Sequence, residues 1–239
     1  MRFKPETALA LVLTLASSSA LATDGEYQSA RHEIEEMRQS LGRRLARART
    51  ERQRKKLLEE GSAFLLRAIT IELAPHWYGT PWAFSGLSNT PGEGAIACGT
   101  FVATLLRHAG FQLDRVQMGR LASEHIALSL TRESQLRRYR RRPVEEVVAD
   151  VVAWGPGLYM IGLDNHAALA VVDDAGDAWL LHSSYVGTGA VVKEALGGPN
   201  PFSASRYRVV ARLLDAEMVQ GWLEGRTFEA RSDHRRAPG

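Results

Sequence analysis

The hydrophobic pattern of this chain changes at Trp154-Gly155-Pro156-Gly157. Before this point apolar residues recur at spacings of three and four, which predicts helices over about 62–73, 98–109, 116–130 and 143–154. After it, short apolar or alternating segments separated by turns predict strands over 158–163, 166–172, 178–184 and 206–214. Asp215 then caps a short helix. Helices followed by a meandering sheet predict an α+β fold with an antiparallel sheet.

The first residues are typical of a secretory signal. Arg2 and Lys4 precede an apolar stretch from Ala8 to Ala16, and Ala20-Leu21-Ala22 offers a cleavage site of small residues. We therefore expect a signal peptide over residues 1–22 and a protein exported to the periplasm or the extracellular space. The apolar stretch is too short to span a bilayer, so no stable membrane insertion is expected after its removal.

Residues 23–61 are expected to form a charged helical arm, with one continuous helix over 26–60. Ile34, Met37, Leu41, Leu45 and Ala48 make a narrow apolar stripe on it. The arm could be a coiled-coil or envelope-binding segment, or a solvated helix docked on the domain. Nucleic acid is not an expected partner, because the arm has no interleaved aromatic residues and the formal net charge of the chain is only +3.

The remaining chain divides into an expected catalytic domain, residues 62–215, and a short helix with a polar tail, residues 216–239. Within the domain, the run of arginines over 137–142 predicts a solvated face or loop, with an anion-binding patch as the alternative.

Cys98 is the sole cysteine and stands where a glycine-containing loop gives way to a helix. Phe101, Val102, Leu105 and Ala109 share its helical face, so the sulfur should point toward whatever that face packs on. The unpaired N–H groups of a first helical turn favour thiolate, which makes Cys98 a candidate nucleophile. The alternative is a buried cysteine that only fills space.

His166 and His182 fall on consecutive predicted strands. The connecting turn permits two registers in which His182 faces either His166 or Ala168, and both place the histidines on one face of the sheet. Ala168 and Ala170 share that face, which leaves room for the Cys98 helix. Cys98, His166 and His182 could then act as nucleophile, base and orienting group, with backbone N–H groups at the helix start as an oxyanion site. We therefore expect the Cys98 sulfur within hydrogen-bonding reach of the His166 ring.

The order of these segments resembles the NlpC/P60 cysteine peptidases of bacterial envelopes. GTPWAF (79–84) is similar to the approach to the cysteine in that family, and ACGTFV (97–102) to its cysteine segment. NHAALAV (165–171) is similar to its histidine strand, and WLLHSS (179–184) to the strand of its third residue. The resemblance covers about residues 63–196.

This resemblance implies a papain-like antiparallel sheet with the nucleophile helix packed on it, and a thiol hydrolase without a cofactor. It implies a peptidoglycan or other envelope peptide as substrate, with Trp82 and Gly99 at substrate-binding positions. Three residues depart from the family pattern: Ala97 replaces an aspartate, Gly99 a serine and Trp82 a tyrosine. In the family those three side chains help to bind the amine end of a stem peptide.

Two other functions remain open. Asp164, His166 and His182 could ligate zinc in a metal-dependent hydrolase, although no specific spacing motif supports this. The chain could also be a non-catalytic envelope-binding module that keeps the fold without turnover.

Overall fold

The computed structural model describes residues 7–232, with side chains described from residue 25 onward. The expected signal sequence over residues 1–22 therefore lies outside the described side chains, as does the end of the polar tail, residues 233–239. Within the described range the chain forms α-helices over Thr7–Arg47 (α1), Glu51–Arg67 (α2), Ala74–Trp77 (α3), Cys98–His108 (α4), Arg115–Gly119 (α5), Ser123–Leu130 (α6), Val144–Trp154 (α7), Pro201–Ala204 (α8) and Ala216–Leu223 (α9).

The strands form one six-stranded antiparallel sheet. They are Leu136–Arg140 (β1), Gly157–Leu163 (β2), Ala167–Val172 (β3), Ala178–Ser183 (β4), Val191–Ala195 (β5) and Tyr207–Arg212 (β6). Their order across the sheet is β1-β6-β2-β3-β4-β5. The predicted α+β class with an antiparallel sheet is confirmed, as are α7, α9 and the strands β2, β3, β4 and β6.

The N-terminal segment is a helical hairpin, so the prediction of one continuous helix over 26–60 was wrong. The chain leaves the helix after Arg47, and Thr50 starts α2 with a capping box in which its hydroxyl accepts from the backbone N–H of Gln53. Arg44 near the end of α1 pairs with Glu60 on α2 at 2.7 Å. The predicted helix start at Ser62 was also wrong, because α2 runs through it and the Ser62 hydroxyl donates to the Leu214 carbonyl.

The hairpin is part of the main hydrophobic core. Tyr27, Ile34 and Leu41 from α1 are buried in the same cluster as Phe101 of α4 and Trp222 of α9. The expected boundary between arm and catalytic domain at residues 61 and 62 falls inside α2. The N-terminal helices therefore support the helix that carries the cysteine.

Three other segments differ from expectation. The single helix expected over 116–130 is two helices, α5 and α6, because Arg120 ends the first and the second begins at Ser123. The arginine run forms the edge strand β1, which was not predicted, and the exposed arginines beside the buried Tyr139 make the expected solvated face. Strand β5 was not predicted, because Val191–Ala195 carries two charged residues and shows no clear alternation.

The two faces of the sheet pack against different helices. On one face Leu169 and Leu181 join the main core with α4. On the other face Ala168 and Ala170 join a second core, to which α7 contributes Val147 and Val151. Among the described residues, no helix contains a stretch long and apolar enough to cross a bilayer.

Candidate functional site

Cys98 is the first residue of α4 and is partly buried against the main core. Its sulfur lies beside three backbone N–H groups, those of Ala167, Gly99 and Cys98 itself, and all three favour the thiolate. Burial acts in the opposite direction and is the larger effect, so the pKa of the Cys98 thiol is raised above its ordinary value. The N–H groups of the helix start thus favour the thiolate as expected, but burial outweighs them.

Residue 99 must be a glycine because α4 and α5 cross closely at this position. A Cβ at this position would lie 2.3 Å from the carbonyl oxygen of Gly119 in α5. The converse also holds, because a Cβ on Gly119 would lie 2.7 Å from the Cα of Thr100. No side chain fits at Gly99, so at this expected substrate-binding position only the backbone can meet a ligand.

His166 and His182 lie together on the sheet, as predicted. Strands β3 and β4 pair with Leu169 opposite Leu181, a register that places His182 opposite Ala168 at the next step. This is one of the two predicted registers. The rings are almost fully buried, and His166 Nε2 lies 2.8 Å from His182 Nδ1.

Glu194 on β5 hydrogen-bonds to His182 and so extends this pair to three hydrogen-bonded side chains. Its Oε1 lies 2.8 Å from His182 Nε2, and its side chain is one-third exposed (33%). Sequence analysis missed this residue because β5 was not recognised. The signal that could have found it is the position of Glu194 on the strand after His182, which lets the two side chains meet across the ladder.

The carboxylate at the end of the chain determines the proton positions on both rings. An ionised carboxylate only accepts, so His182 donates its Nε2–H to Glu194 and keeps an unprotonated Nδ1. That Nδ1 accepts from His166 Nε2–H. Neutral His166 therefore carries no proton on Nδ1, which leaves a lone pair there.

Both rings are neutral at physiological pH. Burial, and secondarily the neighbouring His182, lower the pKa of His166 to about 3. Burial also lowers the pKa of His182, although the Glu194 carboxylate opposes that shift. The resting site thus pairs a neutral thiol with a neutral imidazole.

His166 Nδ1 is buried and has no hydrogen-bond partner among the described residues. The predicted hydrogen bond between the Cys98 sulfur and the His166 ring is therefore not made in this structure. The expectation that α4 would lie over Ala168 and Ala170 was also wrong, because those two alanines pack against α7. The sulfur instead lies at the start of β3, beside the N–H of the residue that follows His166.

Two hydrogen bonds hold the approach segment of the site against the sheet. The Ser183 hydroxyl, next to His182, donates to the carbonyl of Ile96, two residues before Cys98. The backbone N–H of Trp82 donates to the carbonyl of Gly189 at 2.7 Å. These contacts tie the segment that precedes the cysteine to the end of β4 and to the loop that follows β4.

An aromatic rim lies beside His166. The ring of Tyr185 is 5.3 Å from that of His166 and 6.0 Å from that of Trp82. The indole Nε1 of Trp82 is buried without a hydrogen-bond partner in the described part of the chain. Tyr185 is 36% exposed, and Phe84, two residues after Trp82 in the sequence, is 87% exposed, so apolar surface here faces solvent. Sequence analysis identified Trp82 but not Tyr185.

The three residues considered as zinc ligands do not converge. Asp164 accepts from the Ser205 hydroxyl at 2.7 Å and from the backbone N–H of Arg206 at 2.8 Å, away from the histidine pair. His166 and His182 contact each other directly. Across residues with described side chains, no group of three histidine, cysteine or acidic residues is arranged to hold a metal ion.

Comparison of the chain with models of known protein families, with curated proteins and with solved structures finds no match in any of the three. The resemblance to the NlpC/P60 peptidases therefore depends on the sequence segments quoted above.

Proposed function

We propose that this protein is an exported cysteine hydrolase with a papain-like, NlpC/P60-like catalytic fold. It cleaves an amide bond in the bacterial envelope, in the peptide part of peptidoglycan, and requires no cofactor. The observation that carries the proposal is the unpaired Nδ1 of His166. The hydrogen bonds from His166 to His182 and from His182 to Glu194 leave this nitrogen without a proton, near a cysteine that is the first residue of a helix. Leaving a buried imidazole nitrogen without a partner lowers the free energy of unfolding. A catalytic role explains why such a nitrogen is kept.

In the proposed mechanism His166 is the general base and then the general acid. Its Nδ1 takes the proton of the Cys98 thiol as the sulfur attacks the substrate carbonyl, and the C–N bond breaks as His166 returns the proton to the leaving amine. Water then attacks the thioester, with Nδ1 again as base, and releases the acid and the free thiol. The hydrogen bond between sulfur and Nδ1 forms in the substrate complex, since such bonds are often long in empty sites.

His182 and Glu194 act through His166. When His166 becomes an imidazolium, its Nε2–H donates to His182, whose own N–H donates to the carboxylate. The negative charge at the end of the chain stabilises the cation that burial would otherwise oppose. The backbone N–H groups of Cys98 and Gly99, which lie beside the sulfur, supply the oxyanion site.

The substrate side differs from the usual family pattern. Ala97 supplies no carboxylate to bind an ammonium group, and Gly99 admits no side chain at all. A free amino terminus should therefore contribute little to recognition. The aromatic rim of Trp82, Phe84 and Tyr185 supplies apolar contact instead.

A non-catalytic envelope-binding module is the second candidate. Two observations favour it: the Cys98 sulfur makes no hydrogen bond with His166, and burial raises the pKa of the thiol. Such a module would use the aromatic rim for binding and keep the cysteine inert.

Incubation with purified peptidoglycan and defined stem peptides, with products identified by mass spectrometry, separates the two candidates. We expect cleavage by the wild type and none by Cys98→Ala. Glu194→Gln should slow cleavage by about 10-fold or more, because it removes the charge that stabilises the imidazolium. Glu229→Gln, a matched change at an exposed position, should have no effect.

Acetylation of the stem-peptide amine should cost little activity. Cleavage that persists in Cys98→Ala contradicts the mechanism. Binding without cleavage by the wild type supports the non-catalytic module.

A further inference from the structure

A polar cavity of about 590 Å³ lies between α1 and the C-terminal end of α4. Arg31 and Glu35 line it from α1, Arg107 and His108 from α4, and Arg115 from the segment that follows. Cys98 stands at the other end of α4, and a rise of 1.5 Å per residue puts about 15 Å of helix between the two sites. The cavity is therefore separate from the proposed catalytic site.

Three guanidinium groups meet at this cavity, and their side chains hydrogen-bond to neutral groups. Arg31 donates to the side-chain oxygen of Gln28 and Arg107 to that of Gln112, at 2.9 and 3.0 Å. Arg115 donates to backbone carbonyls and a threonine hydroxyl. Among the described residues no carboxylate forms an ion pair with any of the three.

The one carboxylate in the lining is already neutralised. Both oxygens of Glu35 accept from Arg38, at 2.7 and 2.8 Å, and one also accepts from Gln39. The cavity therefore keeps a net positive charge, since Asp114, which acts electrostatically on Arg115, offsets at most one of the three guanidinium charges.

His108 lines the cavity, and hydrogen bonds on both ring nitrogens hold its ring in place. The arginine charges of the cavity act on this ring. Trp77 Nε1–H donates to the Tyr27 hydroxyl, which hydrogen-bonds with His108 Nδ1 at 2.8 Å, and His108 Nε2 lies 3.1 Å from Asn89 Oδ1. Burial is the main cause that lowers the pKa of His108 to about 3, and Arg31, Arg115 and Arg107 lower it further. The positive potential of all three arginines thus converges on this ring.

We propose that this cavity binds a small organic ligand carrying at least two negative charges on phosphate or carboxylate groups. Guanidinium groups bind both oxyanions through paired N–H donors. The volume falls in the range of small-molecule sites, and Gln28, Asn89 and Gln112 add neutral polar groups to the lining. This site is independent of the proposed hydrolase activity.

Isothermal titration calorimetry with inorganic pyrophosphate and, separately, with citrate tests the proposal and distinguishes phosphate from carboxylate ligands. We expect saturable binding of at least one probe, weakened by about 10-fold in Arg31→Gln and in Arg107→Gln and further in the double variant. Arg43→Gln on α1 is the matched control, since this arginine is exposed and remote from the cavity. Arg115 is left intact because it holds the loop that carries Asn89.

A second readout follows the His108 ring by NMR. Saturation with the bound probe should raise the pKa of His108, because the anion offsets the three guanidinium charges, and Cys98→Ala should leave binding and this shift unchanged. The proposal is overturned if neither probe binds at millimolar concentration, or if Arg43→Gln weakens binding as much as the double variant. Loss of binding in Cys98→Ala would also overturn it, by showing that the probe occupies the catalytic site.

Discussion

At the scale of single residues, the site is defined by which atoms have partners and which do not. Glu194 fixes the proton on His182, and His182 fixes the proton on His166. The one ring nitrogen left over is His166 Nδ1. Cys98 lies nearby with a thiol that burial keeps protonated. Because both groups are neutral at rest, the proposed mechanism transfers the proton during attack rather than before it.

Alkylation of Cys98 by iodoacetamide between pH 5 and 10 tests this resting state. Because burial raises the pKa of the thiol, the apparent pKa from the rate profile should lie above that of N-acetylcysteine, and the rate at pH 7 should be lower. A fast rate that persists down to pH 5 would mean that Cys98 and His166 rest as an ion pair. Complete inertness of the folded protein at every pH would favour a cysteine that only fills space.

The sequence identified the cysteine and both histidines because each belongs to a segment with a clear pattern. The even register of the hairpin followed from its turn, and it is the register found. Glu194 could not be found in the same way. Its strand lies at the sheet edge, where two of the five residues are exposed and the hydrophobic pattern is weak.

At the scale of elements, the position of the cysteine depends on how α4 crosses α5. Gly99 and Gly119 let the two backbones meet at a distance that no Cβ would permit. This contact brings the first turn of α4, with Cys98, to the start of β3. The serine that the NlpC/P60 pattern would place at residue 99 is excluded by packing.

Gly99→Ser should lower the free energy of unfolding by about 1–3 kcal/mol, because its Cβ would overlap the Gly119 carbonyl and force the helices apart. Gly197→Ser is the matched control. A Cβ there would make an ordinary contact of 3.6 Å with Val148, so its effect should stay within about 0.5 kcal/mol. Urea denaturation measures the free energy of unfolding of both variants. Equal values would contradict the close contact between α4 and α5 at Gly99.

The break between α1 and α2 and the edge strand β1 were not predicted, and both have physical causes. The apolar stripe of the N-terminal segment continues across the break between α1 and α2, so periodicity alone predicts one helix. The local signal was the pair Thr50 and Gln53, whose capping box starts α2. The arginine run became an edge strand because only Tyr139 needs burial there, which composition does not reveal.

At the scale of the whole molecule, burial of neutral histidines links stability to pH. The pKa of His108 and of His166 falls from 6.5 to about 3 on folding, chiefly through burial. A depressed pKa means that the unfolded chain binds these protons more tightly. The resulting stability is complete above pH 6.5 and is lost as the pH falls toward 3.

The free energy of unfolding should therefore be lower at pH 5 than at pH 7, by about 2 kcal/mol for each of the two histidines. Denaturant titrations at the two pH values measure this difference. His108→Gln should reduce it by about half, whatever the variant does to stability itself. An unfolding free energy that is the same at both pH values would show that these rings are not buried as neutral groups.

The central claim is that Cys98 forms a covalent bond with the substrate, and the most direct test is the mass of the intact protein. The protein is incubated with peptidoglycan stem peptides, quenched with acid and analysed by mass spectrometry. We predict an added mass equal to the acyl fragment, located on Cys98, removed by hydroxylamine as expected of a thioester, and absent in Cys98→Ala. Cleavage of the peptides with no adduct on the wild type, and at the same rate in Cys98→Ala, would contradict the account.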